Sequence, residues 1–344
     1  MACCPGLVPR GKLLRDNIIS FKIVKRLGWF PVSSCSEEDY AVKRKWWLGL
    51  LLLCLLAVLG SGWYFYNHLA GQRLAEPVYV QKKNVHLVAV GDSLTFGQGD
   101  ETKNGGYVGI IKQKIEHRYR QTTVETANYG VSGDRSDQIL ARLNAQKTMR
   151  QDLRQADVIT MTVGGNDLLQ NLEKNVLNSP QTIDKDIAAA QQTYTASLNK
   201  LLQAARKENP QAPIFVLSIY NPVYTYFPDV DTINDSIAKW NTTTAAVTRG
   251  YKRAYFVDIN HLMSWGQYKT AAQRQQLVRK EEQANQGKVT QARLLNIMKN
   301  KDHNLNQYIS TEDNFHPNHR GYEQMADRLF QAMQRHDSWE YVKR

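Results

Sequence analysis

The hydrophobic residues of the chain fall into one long unbroken run near the N-terminus and a later series of short runs. The short runs are rich in β-branched residues, so they predict five β-strands. These strands are Val85–Val90, Thr123–Ala127, Val158–Val163, Ile214–Ile219 and Tyr255–Asp258. The segments between them carry apolar residues at helical spacing, as Ile111 and Ile115 do. This alternation predicts a parallel sheet that helices cover on both faces.

The unbroken run extends from Trp46 to Tyr66 and has no charged residue in 21 positions. That is about the length that a helix needs to cross the hydrocarbon core of a membrane, and aromatic residues stand at both ends. Lys43, Arg44 and Lys45 precede the run and favour a cytoplasmic N-terminus. We therefore expect one transmembrane helix at 46–66, with the rest of the chain outside the cell. A cleaved signal peptide has the same order of charged and apolar residues and stays open as an alternative.

This expectation divides the chain into four parts. Residues 1–45 are basic, show no helical or strand period, and are expected to be a disordered cytoplasmic tail. The helix at 46–66 follows, then a linker over 67–84, and then an α/β domain over 85–336.

Composition and charge exclude several classes of protein. With 42% hydrophobic residues the chain is neither low-complexity nor wholly disordered. The net charge is +12, but outside the tail the basic residues form no clustered stripe, so a solvated basic surface is favoured over nucleic-acid binding. All four cysteines lie at or before Cys54, so the exported part needs no disulfide.

Two motifs supply a candidate nucleophile and base. The sequence GDSLTFG places Ser93 directly after the first strand, in a turn where a hydroxyl is presented at the sheet edge. Alone, this motif is more typical of a helix cap, because Asp and Ser are favoured N-cap residues. Near the C-terminus, DNFHP spaces Asp313 and His316 so that the carboxylate is able to orient the imidazole.

Two glycine-containing turns supply candidate oxyanion donors. Gly133 in NYGVSGD offers a backbone N–H without a side chain in the way, and Asn166 in GGND offers an amide. Alone, each of these sequences is typical of an ordinary turn and does not indicate a functional site. Together with the serine and the histidine, they complete the set of groups that acyl transfer requires.

The ordered set GDSLTFGQGD, NYGVSGDRS, GGND and DNFHPNHRGY resembles the SGNH hydrolases, the GDSL-type lipases and acylhydrolases, over roughly residues 85 to 336. It is most like the membrane-anchored or secreted members of Gram-positive bacteria. The resemblance implies a flavodoxin-like three-layer α/β/α sandwich with a five-stranded parallel sheet. It also implies that Ser93 is the nucleophile, His316 the base and Asp313 its orienting acid. Ser93, Gly133 and Asn166 would form the oxyanion hole, and no cofactor or metal is implied.

The function expected from these groups is hydrolysis of an acyl ester, in a lipid or an acylated envelope polymer, at the outer face of the membrane. An acyltransferase on envelope polymers stays open, because it differs only in the acceptor. A catalytically inactive anchored binding protein that retains the fold also stays open.

Two segments of the chain are candidates for contact with the substrate. The loop after the fourth strand is aromatic, and Tyr224, Tyr226 and Phe227 are expected to line the acyl or leaving-group pocket. A hydrophobic plug is an equal alternative for this loop. Residues 267–307 are charged and mostly helical, which predicts either a lid over the site or a solvated helical hairpin.

Overall fold

The computed structural model describes residues 37–71, 78–175, 180–228, 231–285 and 305–343. The chain separates into two compact units, Met1–Glu76 and Pro77–Arg344. Residues 1–36 of the expected tail and residues 72–77 of the expected linker lie outside the described residues.

The described part of the first unit is a single helix, α1, Glu37–Gly71. Its segment Arg44–His68 is 25 residues long, has a mean hydropathy of 2.1 and is fully exposed, so by length and composition it is able to cross a membrane. An N-terminal signal sequence passes the same test. Residues 37–45 and 67–71 were expected in tail and linker but are helical, because a helix once nucleated propagates readily through good helix formers such as Lys and Arg.

The second unit is built on a five-stranded parallel sheet in the order β3-β2-β4-β5-β6. The strands of this unit are β1 Tyr79–Gln81, β2 Asn84–Gly91, β3 Thr123–Gly130, β4 Val158–Thr162, β5 Ile214–Leu217, β6 Ala254–Val257 and β7 Tyr341–Lys343. The five strands predicted from the sequence are therefore confirmed, with ends that differ by one to three residues.

Helices cover both faces of this sheet, which confirms the three-layer α/β/α sandwich. They are α2 Ser93–Phe96, α3 Gly106–Arg118, α4 Ser136–Ala145, α5 Lys147–Gln155, α6 Gly165–Asn175, α7 Pro180–Glu208, α8 Asp231–Arg249, α9 Asn260–Trp265, α10 Ala271–Asn285 and α11 His319–Arg335. One core joins the sheet to α3 and α11. The other core joins it to α4, α5, α7 and α8.

Strand β2 shows why the sheet needs both layers. Leu87 and Ala89 lie in the core with α3 and α11, whereas Val88 and Val90 lie in the core on the opposite face. Successive side chains of a strand point to opposite faces, so a strand that is apolar at every position must be covered twice.

The second unit extends beyond the expected bounds of 85–336 at both ends. Strand β1 pairs antiparallel with β7, with Tyr79 opposite Lys343. Trp339 is buried, and its indole N–H donates to the carbonyl of Met333 at 3.1 Å. The two short strands are largely exposed, so the sequence pattern gives little sign of them.

The carboxyl ends of the parallel strands meet at one edge of the sheet, where sites of such folds are found. Strands β2, β3 and β4 end there at Gly91, Gly130 and Thr162. Ser93 and Asn166 lie in the first turns of the helices that follow β2 and β4, and Gly133 lies in the loop after β3, which brings these three residues to the same edge. Helix α10 occupies part of the expected lid, and residues 286–304 of that segment lie outside the described residues.

Candidate active site

Ser93 lies at the first position of the short helix α2, immediately after strand β2. Asp92 caps this helix, because its carboxylate accepts a hydrogen bond from the backbone N–H of Leu94 at 3.0 Å. Gly97 ends the helix with φ +89°, a conformation that favours glycine. The GDSLTFG motif is therefore a turn whose two ends are fixed by its own residues.

Two glycines allow α2 to sit tightly against the ends of the strands. A Cβ atom on Gly91 would lie 2.4 Å from Oγ1 of Thr162, and one on Gly130 would lie 2.1 Å from the backbone nitrogen of Phe96. Neither position has room for a Cβ atom, so only glycine fits there. The close contact between the backbone of α2 and the ends of the strands therefore fixes the position of Ser93 relative to the sheet.

His316 joins Ser93 to Asp313. The imidazole Nε2 lies 2.8 Å from Oγ of Ser93, and Nδ1 lies 2.5 Å from Oδ2 of Asp313. Burial works to raise the pKa of Asp313, but the hydrogen bonds from His316 and the backbone N–H of Phe315 outweigh it and hold that pKa below its ordinary value. Asp313 is therefore an ionised acceptor that fixes the imidazole.

Three N–H groups lie in the loops around Ser93. The backbone N–H groups of Ser93 and Gly133 have no acceptor among the described residues. The Asn166 side chain donates to the carbonyl of Asp134 at 2.9 Å. A carboxamide has two N–H bonds, so one N–H of Asn166 is left for a ligand.

The loops that carry Gly133 and Asn166 are tied together by a buried carboxylate. Asp167 accepts from the backbone N–H of Ser136 at 2.9 Å and from its hydroxyl at 2.5 Å. Burial raises the pKa of Asp167, although the two hydrogen bonds from Ser136 oppose that effect. The pair joins the start of α4 to the start of α6.

Arg142 on α4 links the same loop to two strands. Its guanidinium donates to the carboxylate of Asp134 at 2.6 Å, to the carbonyl of Tyr129 at 3.1 Å and to the carbonyl of Gly91 at 3.0 Å. The planar fork of arginine suits three fixed acceptors of this kind. Gly91 is two residues before Ser93, so Arg142 holds the Asp134 loop at a set distance from the nucleophile turn.

A chain of buried hydroxyl groups lies beneath α2. Thr162 donates to Asp92 at 2.6 Å and is 2.8 Å from Oγ1 of Thr95, which is 3.0 Å from the Tyr107 hydroxyl. Tyr107 in turn lies 3.1 Å from Oγ1 of Thr160. Burial raises the pKa of Tyr107 to about 12 and also raises the pKa of Asp92. The polar groups under the nucleophile are thus paired, as buried polar groups must be.

Two neighbouring hollows open at this edge of the sheet. A narrow cleft is lined by Ser93 and Asn166 among others. Beside it lies a larger cavity of about 200 Å³. Tyr220 and Phe315 line both.

The three aromatic residues expected to bind substrate do not line these hollows. Among the described lining residues the loop after β5 contributes residues 218–223, whereas Tyr224, Tyr226 and Phe227 are absent from both walls. Phe227 is 1% exposed and packs inside the protein. The aromatic loop is thus placed at the correct edge, but the residues that face the site are its first ones.

The sequence of the chain matches that of a known family. Residues 89–324 match the sequence model of the GDSL-like Lipase/Acylhydrolase family, which is more than half of the chain. The chain belongs to this GDSL-like family. Its members are ester-hydrolysing enzymes, and the blocks that carry Ser93, Gly133, Asn166 and His316 all lie within the matched residues.

Two relatives are similar to the chain in sequence, and one solved structure is similar to it in fold. The chain is 30% identical to the uncharacterized protein YpmR of Bacillus subtilis over 74% of this chain and 83% of YpmR. It is 31% identical to the spore germination lipase LipC of Bacillus licheniformis over 46% of this chain and 72% of LipC. The crystal structure of the lipase Lip_vut3 from a goat rumen metagenome shares the fold, with a TM-score of 0.53 and 23% identity over 72% of this chain and 97% of that one.

His319 and Ser132 of this GDSL-like enzyme are engaged elsewhere. His319 opens α11 and pairs with the buried carboxylate of Asp100 at 3.1 Å, so it does not contact Ser93. The Ser132 hydroxyl donates to Oε1 of Gln98 at 2.6 Å. Neither residue is placed to replace His316 or Ser93.

Proposed function

We propose that this enzyme hydrolyses carboxylic esters through an acyl-enzyme on Ser93. His316 takes the hydroxyl proton as Oγ attacks the acyl carbon, and Asp313 stabilises the imidazolium that forms. The observation that carries this proposal is the 2.8 Å approach of Nε2 of His316 to Oγ of Ser93, with Asp313 at 2.5 Å on the other side of the ring.

The oxyanion is proposed to accept hydrogen bonds from the backbone N–H groups of Ser93 and Gly133 and from Asn166. Such donors act most strongly where charge develops in the transition state. His316 then gives its proton to the leaving alcohol. A water molecule, activated by the same imidazole, releases the acid and restores the Ser93 hydroxyl.

We further propose that the enzyme is a single-pass membrane protein with its N-terminus in the cytoplasm and residues 77–344 outside. Support comes from the apolar segment Arg44–His68, from the Lys43-Arg44-Lys45 cluster before it and from the aromatic residues at its ends. Protease added to intact cells is expected to digest residues 77–344 while an N-terminal tag stays protected. Protection of both ends would overturn this topology.

The chemistry is tested with the full chain and the p-nitrophenyl esters of acetate, butyrate, octanoate and palmitate. The wild type is expected to hydrolyse at least one of them, and Ser93→Ala is expected to lose activity by about 10⁴-fold or more. Ser132→Ala is the matched control, since it removes a hydroxyl from a neighbouring loop and is expected to retain activity. A fluorophosphonate is expected to add to Ser93 in the wild type and in Ser132→Ala, and not to react with Ser93→Ala.

Two results would contradict the proposal. One is ordinary turnover by a folded Ser93→Ala protein, which would move the nucleophile elsewhere. The other is a folded wild type that neither hydrolyses any ester nor reacts with the fluorophosphonate, which would favour an inactive binding protein. Reaction with the fluorophosphonate without hydrolysis would favour an acyltransferase that needs its own acceptor.

A further inference from the structure

The cavity of about 200 Å³ beside the Ser93 cleft has a wall that is almost wholly apolar. Helix α6 forms one side of it, the loop after β5 forms another and α8 closes it. The side chains and backbone around it belong to Gly165, Leu168, Leu169, Leu172, Ile219, Tyr220, Asn221, Pro222, Val223, Ile233, Ile237 and Phe315.

We call the space that these twelve residues line the acyl-side cavity. It adjoins the cleft that contains the nucleophile. Four of its residues, Gly165, Ile219, Tyr220 and Phe315, also line the cleft that contains Ser93. The two hollows are therefore neighbours, and these four residues form the border that a group bonded to Oγ of Ser93 would pass to reach the cavity.

The polar side chains that line the cavity already form hydrogen bonds with other groups of the protein. The Asn221 side chain donates to Oδ1 of Asn234 at 2.9 Å and accepts from the backbone N–H of Val223 at 3.0 Å. The Tyr220 hydroxyl donates to the carbonyl of Phe315 at 2.8 Å. A sugar or a phosphate would lose its bonds to water here and find few replacements, whereas an alkyl chain loses none.

The size of the cavity limits the alkyl chain. In another protein, an apolar cavity of about 150 Å³ lined by Leu, Ile and Phe binds benzene, which has six carbons. By that proportion, about 200 Å³ holds about eight carbons. Leu172 lies seven residues along α6 from Gly165, which is about 10 Å from the nucleophile end of the cavity.

We propose that the acyl-side cavity binds the acyl chain of a medium-chain ester, of about six to eight carbons, and that Leu172 limits its length. This inference rests on the proposed function, since it assigns the substrate class of the same site. Each buried methylene is expected to raise kcat/KM by about fourfold until the cavity is full.

The experiment uses the full chain in lipid nanodiscs, since detergent molecules would compete for an apolar cavity. The kcat/KM values of the wild type for p-nitrophenyl esters are expected to rise from acetate to octanoate and then to stop rising at palmitate. Leu172→Trp is expected to lower kcat/KM for octanoate by at least about tenfold and to leave acetate within about twofold. Leu140→Trp is the matched control, because Leu140 is also partly buried against the same core but lies on α4 and lines neither hollow.

Binding of sodium octanoate and sodium acetate, measured by titration calorimetry on the same samples, does not depend on turnover. The wild type and Leu140→Trp are expected to bind octanoate saturably, and Leu172→Trp is expected to bind it at least about tenfold more weakly. An unchanged ratio of octanoate to acetate turnover in folded Leu172→Trp, or octanoate binding equal to wild type, would overturn the inference. A wild type that binds octanoate but cleaves no ester would instead overturn the proposed function alone.

Discussion

Asp313 holds His316 by two separate hydrogen bonds, one to the imidazole and one to the backbone. Nδ1 lies 2.5 Å from Oδ2, and the backbone N–H of His316 donates to Oδ1 at 3.0 Å. The carboxylate therefore fixes both the position of the ring and the proton on Nδ1, which leaves Nε2 free to accept the proton of Ser93. The orientation of the base follows from a turn of only four residues.

The first prediction concerns this carboxylate. In Asp313→Asn, the amide N–H₂ is able to face Nδ1 and so favours the imidazole tautomer with the proton on Nε2, which cannot accept from Ser93. We expect kcat to fall by about 10²- to 10⁴-fold in steady-state assays. Glu312→Gln, which removes the same charge from the exposed neighbouring residue, is expected to stay near wild type. Equal losses in the two variants would contradict a specific role of Asp313.

The second prediction concerns the side-chain oxyanion donor. Asn166→Ala removes an N–H that is proposed to act only in the transition state, so kcat is expected to fall by about 10²- to 10³-fold with little change in KM. Asn171→Ala on the same helix is the control, because its amide donates to the carbonyl of Asp167 at 2.7 Å. If Asn166→Ala changed KM and left kcat intact, the residue would bind substrate rather than the oxyanion.

The third prediction assigns Arg142 a positioning role. Arg142→Lys keeps the positive charge beside Asp134 but cannot donate to three acceptors at once. We expect kcat to fall by about 10- to 100-fold and KM to change by less than about threefold, because the Asp134 loop shifts relative to Ser93. A loss of folded protein would also lower the apparent kcat with KM unchanged, so kcat is calculated per active site, with the active sites counted by titration with the fluorophosphonate.

Arg150→Lys is the control for that experiment. Arg150 on α5 donates to the carbonyl of Leu143 at 3.1 Å, away from the nucleophile turn. A fall in kcat of the same size in Arg150→Lys would show that any loss of a forked hydrogen bond slows the enzyme, and the positioning role of Arg142 would be withdrawn.

The fourth prediction links Asp92 to the pH dependence of stability. Burial raises the pKa of Asp92 in the folded protein, so the folded state holds this proton to higher pH than the unfolded state does. Stability is therefore lost as pH rises from about 3.8, the ordinary value, through the raised value. Asp92→Asn carries no charge and is expected to gain about 1 kcal/mol over wild type at pH 8, and nothing below the ordinary value.

The same substitution is expected to slow turnover by about tenfold, since it removes a carboxylate that interacts electrostatically with His316 and caps the helix of Ser93. Urea unfolding at several pH values and kcat at pH 8 measure the two effects. Asp137→Asn, an exposed carboxylate of α4, is expected to change neither. An Asp92→Asn protein that is less stable than wild type at pH 8 would mean that its hydrogen bonds outweigh the cost of burial.

The central strands β2, β4 and β5 were predictable from the sequence because they are buried on both faces along most of their length. In β4 every side chain is buried, and its two polar residues, Thr160 and Thr162, are β-branched and so suit a strand as well. The β1 and β7 strands were missed because each has three residues, is largely exposed and pairs with a partner at the other end of the unit. Nothing local to either strand indicates that partner.

The candidate site was predictable where a motif supplies a whole group, as for Ser93 and His316. The residues that hold these groups in place were not predictable, because their roles depend on contacts between elements that are distant in sequence. Arg142 looks like any surface arginine of an amphipathic helix until Gly91 and Tyr129 are brought beside it. In the aromatic loop, composition indicated the right segment, but only the chain path shows that Tyr220 faces the cleft and Phe227 the interior.

The 223 positions that separate Ser93 from His316 also set the order in which the site is completed during synthesis. A ribosome makes the chain from its N-terminus, so Ser93, Gly133 and Asn166 all exist before the base does. A nascent chain that ends before residue 316 has the serine but no imidazole to activate it. The proposed acyl chemistry therefore starts only after residue 316 has been made and has reached Ser93.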